Sequence, residues 1–197
     1  MLCSTCVCFA QRTRYRQWAR YQNGIPVLAL FEWTEREHNF FKMYASSLKG
    51  GGPSTIYEAL AADLLTLRTQ LRKPLEKTIR RPWVIVPAPG SRGGQRDHAE
   101  ELAWQIAQLA DAKYLPCLER MSGTSQKKKT LEQRWSGPLL RVQERRKGGF
   151  DTEMLYIFVD DVVTTGSTAT FAHKCLGQPP HFEIWTLFNR PRLRALN

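Results

Sequence analysis

The chain has 197 residues, 42% of them hydrophobic, which suits one domain, or one domain with an appendage, around a sizeable core. Lys and Arg number 29 against 18 Asp and Glu, a formal net charge of +11; that excess favours a polyanionic partner, nucleic acid or a phosphorylated small molecule, beside the plainer reading of a solvated basic surface. Five cysteines, three of them crowded at Cys3, Cys6 and Cys8, do not make a secreted disulfide framework, and no apolar stretch approaches the ~20 residues that span a bilayer, so a cytoplasmic location is expected.

Residues 1–24 form a basic N-terminal segment. Arg12, Arg14, Arg16 and Arg20 occur there with no acid, interleaved with Tyr15, Trp18 and Tyr21. Arginines beside aromatics can hold phosphates and stack bases, so these four arginines and Trp18 are nucleic-acid candidates; a capping or disordered segment is the alternative. Asn23-Gly24 marks a turn. The second unit, 25–197, opens with "IPVLALFEW", which reads as a strand. "EREHNFFKMYASSLK" reads as an amphipathic helix with Phe40, Phe41 and Tyr44 near one face, ended by "GGGP" at 50–53. "STIYEALAADLLTLRTQLRK" carries Thr55 and Glu58 at capping-box spacing and apolar residues at 56, 60, 64, 67 and 71, which predicts a helix.

"PWVIVPAPG" predicts a buried strand running into a loop, and "RDHAEELAWQIAQLADA" a helix with Ala99, Leu102, Ala103, Ile106 and Leu109 on one stripe. "KYLPCL" reads as one short strand. Residues 120–147 then hold nine basic and two acidic residues and little apolar content, the composition of a mobile or extended arm. "EMLYIFVDD" predicts a strand, "TATFAHKCLG" a short helix ending at Gly177, and "FEIWTLFNR" a last strand whose Trp185 and Phe188 belong to the core. Alternating strands and helices from residue 83 onward predict an α/β fold with a mainly parallel sheet.

The chemistry concentrates in "YIFVDDVVTTGST", residues 156–168. A continuous apolar run marks a strand buried on both faces of a parallel sheet, and ligands bind beyond the carboxyl ends of such strands. Asp160 and Asp161 are expected at that end. Thr164, Thr165, Gly166, Ser167 and Thr168 then lead into a helix, whose unpaired N–H groups and positive dipole end favour phosphate. The loop can cradle a phosphate while the carboxylates accept sugar hydroxyls or help place a metal ion, and a phosphorylated ribose presents those features together.

This segment, including Val162 and Val163, resembles the phosphoribosyl-pyrophosphate (PRPP) motif of type I phosphoribosyltransferases. "VIVPAPGSRGGQRDHAEELAWQIA", "LERMSGTSQKKKTLEQRW" and "SLKGGG" are similar to elements of the ComF competence family within that superfamily. Thr124, Gln126, Leu131 and Arg134 stand in matching places, and the likeness covers roughly residues 27–192. Where the family usually has "RGFNQ" this chain has "GQRDHAE", so ligand contacts of that aromatic–Asn pair do not carry over. Family members often begin with a zinc ribbon of two CxxC pairs. Here only Cys3, Cys6 and Cys8 are available, too few well-spaced ligands for a closed tetrahedral site, the remnant of a ribbon.

The resemblance implies a type I phosphoribosyltransferase fold, a mainly parallel central sheet flanked by helices with a small N-terminal hood-like segment. It implies PRPP as ligand, with Mg²⁺. Asp160 and Asp161 would meet the ribose hydroxyls, residues Thr164 to Thr168 the 5′-phosphate, and Gly90, Ser91 and Arg92 the pyrophosphate. Asp160, Asp161 and Arg92 are the catalytic candidates. Lys127, Lys128, Lys129 and Arg134 would belong to a flexible loop closing over the ligand. His38, His98, His173 and His181 form no cluster, and no acceptor pocket is legible. Three functions are therefore in play: an accessory factor of DNA uptake in natural transformation, with affinity for single-stranded DNA and, by family resemblance, a competence-helicase partner; an active phosphoribosyltransferase acting on a base or amine; and a PRPP-sensing regulator.

Overall fold

The computed structural model describes residues 19–22, 24–33, 38–49, 54–71, 81–90, 97–120, 140–143 and 150–190. Its strands are β1 (Ala19–Gln22), β2 (Ile25–Glu32), β3 (Trp83–Pro87), β4 (Lys113–Tyr114), β5 (Leu118–Arg120), β6 (Leu140–Val142), β7 (Leu155–Val163) and β8 (Phe182–Asn189). Its helices are α1 (His38–Lys49), α2 (Ser54–Leu71), α3 (His98–Leu109) and α4 (Ser167–Cys175).

Six strands form one sheet in the order β1-β2-β8-β7-β3-β4. β2, β8, β7, β3 and β4 run parallel, and β1 joins antiparallel at the edge of β2. The protein is thus α/β, with helices on a mostly parallel sheet. β7 lies at the centre because Leu155 to Val159 are all buried, as a strand covered on both faces requires. Side-chain alternation sends Leu155, Ile157 and Val159 into one core layer with Trp185, Leu187 and residues of α1, α2 and α3. It sends Tyr156 and Phe158 into the other, with Ile184, Ala169 and Ala172 of α4, and Leu118 and Leu140. Trp185 and Phe188 are fully buried, as expected of core residues.

Three features differ from the sequence reading. "KYLPCL" is not one strand. Leu115 N–H donates to the Ile85 carbonyl at 2.9 Å, and the next residue, Pro116, has no N–H with which to continue the ladder. The chain leaves the main sheet there, and Leu118 to Arg120 pair antiparallel with Leu140 to Val142. The basic arm therefore contains a strand near its downstream end, held by buried Leu140 and by the Cys175 thiol, which donates to the Leu140 carbonyl at 3.2 Å. In α3 the buried stripe includes Ala107, while Leu109 is 46% exposed. Among the described residues no helix is long and apolar enough to cross a membrane.

Candidate functional site

The carboxyl ends of β3, β7 and β8 meet at one edge of the sheet because the three strands are parallel neighbours. β7 does not stop at its aspartates. Asp160 pairs with Thr186, Val162 with Phe188 and Val163 with Asn189. The acidic pair therefore sits inside the last turn-ward stretch of the strand and not beyond it. Thr186 explains why the ladder survives two acids: its buried hydroxyl lies 3.0 Å from the Asp161 carbonyl and 3.2 Å from that of Phe188. The strand is closed by Arg190 N–H donating to the Val163 carbonyl at 2.8 Å.

Asp160 and Asp161 are half-buried, and their charges do not coexist easily. Burial pushes the Asp160 carboxyl up to about 8, helped by the Asp161 charge and by a hydrogen bond between the two side chains. The Asp161 N–H, which donates to Asp160 Oδ1 at 2.9 Å, pulls the other way, as does the guanidinium of Arg120. A carboxyl raised so far keeps its proton near neutral pH, so Asp160 can donate as well as accept a hydrogen bond. That is what a sugar diol needs, since each hydroxyl does the same.

Arg120 was not singled out from the sequence, where it is one cation among nine in the basic stretch. It ends β5, and its Nε donates to the Pro89 carbonyl at 2.8 Å. Only tertiary placement sets it apart from its neighbours. Tyr57 of α2 is a second residue the sequence reading missed. It is buried, its hydroxyl donates to the Leu48 carbonyl at 3.1 Å, and it is pushed up to about 12 by burial first and then by the charges of Glu101, Asp161 and Asp97. Tyr57 is thus within electrostatic reach of both Asp161 and the start of α3.

The loop after β7 has the form its composition implies. Gly166 adopts φ 66°, ψ 9°, the left-handed region, and is the cap residue of α4. It supplies no side-chain acceptor to the helix. Thr165 and Ser167 hold each other across the turn, Oγ1 to Oγ at 3.1 Å, with a longer bond of 3.4 Å from Ser167 N–H to Thr165 Oγ1. Thr170 fixes the first turn through its N–H and hydroxyl, both donating to the Gly166 carbonyl, at 2.9 and 3.1 Å. Thr164, Ser167 and Thr168 are half-buried and Thr165 exposed. A tight left-handed turn into a helix start, lined by hydroxyls, is suited to an anion with several oxygens.

On the other side of β7, Ala88 N–H donates to the Val159 carbonyl at 2.7 Å, so the chain leaving β3 is tied to the residue before Asp160. Gly90 lies two residues further on, half-buried. Ser91 and Arg92 fall outside the described residues, as do Lys127, Lys128, Lys129 and Arg134, Cys3, Cys6 and Cys8, and Arg12, Arg14, Arg16 and Trp18. Arg20 lies in β1, opposite Val27. The structure thus brings together Gly90, Asp160, Asp161 and residues 162–168. On the β2 side of the same edge, the Arg190 guanidinium stacks on Trp33 at 4.9 Å, and Trp33 Nε1 donates to His38 Nδ1 at 3.2 Å. Among the described residues no group of three or more His, Cys, Asp or Glu could hold a metal ion by itself. The two carboxyls of the pair fit a Mg²⁺ ion of the kind that arrives with phosphates, which takes one or two protein carboxylates and completes its shell from ligand and water. No protein-family model matches the sequence, and no curated protein matches it either.

Proposed function

We propose that the protein binds PRPP with Mg²⁺ at the carboxyl edge of its sheet, as a ComF-like member of the type I phosphoribosyltransferase superfamily. The observation that carries this reading is the ordering of chemistry along one segment: a buried central strand, a half-buried acidic pair, then a left-handed glycine turn opening α4. In it the turn and its hydroxyls hold the 5′-phosphate, and Asp160 and Asp161 hold the ribose hydroxyls. Gly90, with Ser91 and Arg92 next in sequence, would face the pyrophosphate. Mg²⁺, when bound, offsets the negative charge that grows on pyrophosphate as the bond to ribose C1 breaks. The chain's own part is to orient the sugar and to limit repulsion between its acidic pair and the phosphates, which the raised Asp160 carboxyl and the charge of Arg120 both favour. Lys127, Lys128, Lys129 and Arg134 would serve to exclude water.

The cellular role we favour is an accessory factor in DNA uptake with affinity for single-stranded DNA. The net charge of +11 and the N-terminal arginines support it. Transfer of ribose 5-phosphate to a base or amine, and PRPP sensing without chemistry, are the other two readings. Titration with PRPP in the presence and absence of Mg²⁺ tests the shared premise. Pyrophosphate release across a panel of bases and amines then separates transferase from sensor, since a sensor binds PRPP and releases none.

A further inference from the structure

The three residues that follow β3 are each held by a different element. Ala88 N–H is bound to Val159 of β7, and the Pro89 carbonyl accepts from Arg120 at the end of β5. Gly90 meets Asp97, the residue that caps α3: a Cβ built on Gly90 would lie 2.5 Å from Asp97 Oδ2 and 3.1 Å from its carboxyl carbon. Asp97 is not free to turn away without loss, because its other oxygen accepts from Glu100 N–H at 3.2 Å and so closes the helix start. The main chain is not free to yield either, since the hydrogen bonds of Ala88 and Pro89 fix it on both sides of the sheet edge. Gly90 is not in the left-handed region, where glycine would be needed for its backbone. What the position requires is the absence of a side chain.

We infer that Gly90 and Asp97 are a positioning pair, in which the capping carboxylate of α3 fills the space of the missing side chain and sets where the chain from β3 stands relative to Asp160. The inference rests on the PRPP reading and deepens it, by naming what holds the pyrophosphate side of the site in register with the ribose side. Neither residue needs to touch the ligand. The nearest link to the acidic pair is Arg120, which bonds the Pro89 carbonyl while its charge acts on Asp160. A displacement of Pro89 and Gly90 therefore disturbs both sides of the site at once.

A relief experiment tests this. Gly90→Ala, Asp97→Ser and the double variant are titrated with Mg²⁺–PRPP beside the wild type, with thermal midpoints measured in parallel. Serine caps helices as well as aspartate does and has a shorter side chain, so Asp97→Ser should keep the helix start but empty the space beside Gly90, and should weaken binding several-fold. Gly90→Ala should weaken binding by about tenfold or more, since misplacement of a site by an ångström carries losses of that order. The double variant should recover most of that loss, because the shorter cap makes room for the added methyl. Gly90→Ala binding as tightly as wild type would overturn the inference, and so would a double variant no better than Gly90→Ala at equal thermal stability. A folded wild type that binds no PRPP overturns the functional reading itself, a result distinct from either.

Discussion

Asp160 is the residue on which the chemistry and the stability of the protein pull in opposite directions. An isolated aspartate has its carboxyl near 3.8, and burial beside Asp161 raises it to about 8. The folded chain therefore binds a proton that the unfolded chain has already released at neutral pH. Stability from this group is full below the unfolded value, declines as pH rises through the window between the two values, and levels off above the folded one. Asp160→Asn removes the titration while keeping an oxygen for the Asp161 N–H. We predict that the variant gains on wild type in stability from pH 4 to pH 8, by about 1–3 kcal/mol at the upper end, seen as a rising thermal midpoint relative to wild type. Parallel melting curves with no pH-dependent gap would contradict this. The sequence made the acids visible as a pair and made their purpose readable from the residues that follow. It could not reveal that Asp160 holds its proton, because that depends on burial, nor that Arg120 opposes it from a strand forty residues upstream.

At the scale of elements, long periodic or apolar segments were legible. The strands at 25–32, 83–87, 155–163 and 182–189 and the four helices fall where their patterns put them. What was not legible depends on partners distant in sequence. "KYLPCL" divides because Pro116 ends one ladder and Leu140 to Val142 offer another. β7 runs through its aspartates because β8 supplies Thr186 opposite Asp160. The turn into α4 was legible as a small-residue loop entering a helix, but the left-handed conformation of its glycine came only with the structure. Gly166 is buried at φ 66°, so Gly166→Ala should cost roughly 1–2 kcal/mol of stability. It should also weaken PRPP binding, because the strain falls on the residue that starts the helix. A loss of stability with unchanged affinity would mean that this turn does not hold the phosphate.

At the scale of the whole molecule, the charge of +11 has to be separated from the specific site. Binding of a single-stranded oligonucleotide through the basic segments should weaken steeply with salt, with a log–log slope near −3 if four phosphates are neutralised, since single strands give about −0.7 per contact. A flat response would remove the nucleic-acid role while leaving the PRPP site untouched. The site in turn is tested most directly by calorimetric titration of Mg²⁺–PRPP into the wild type and into the Asp160→Asn/Asp161→Asn variant. Removing the buried charge should leave that variant at least as stable as wild type, so loss of binding could not be blamed on unfolding. The account predicts saturable binding by the wild type and a loss of about tenfold or more in the folded double variant. No binding by the folded wild type, or equal binding by both, would contradict it.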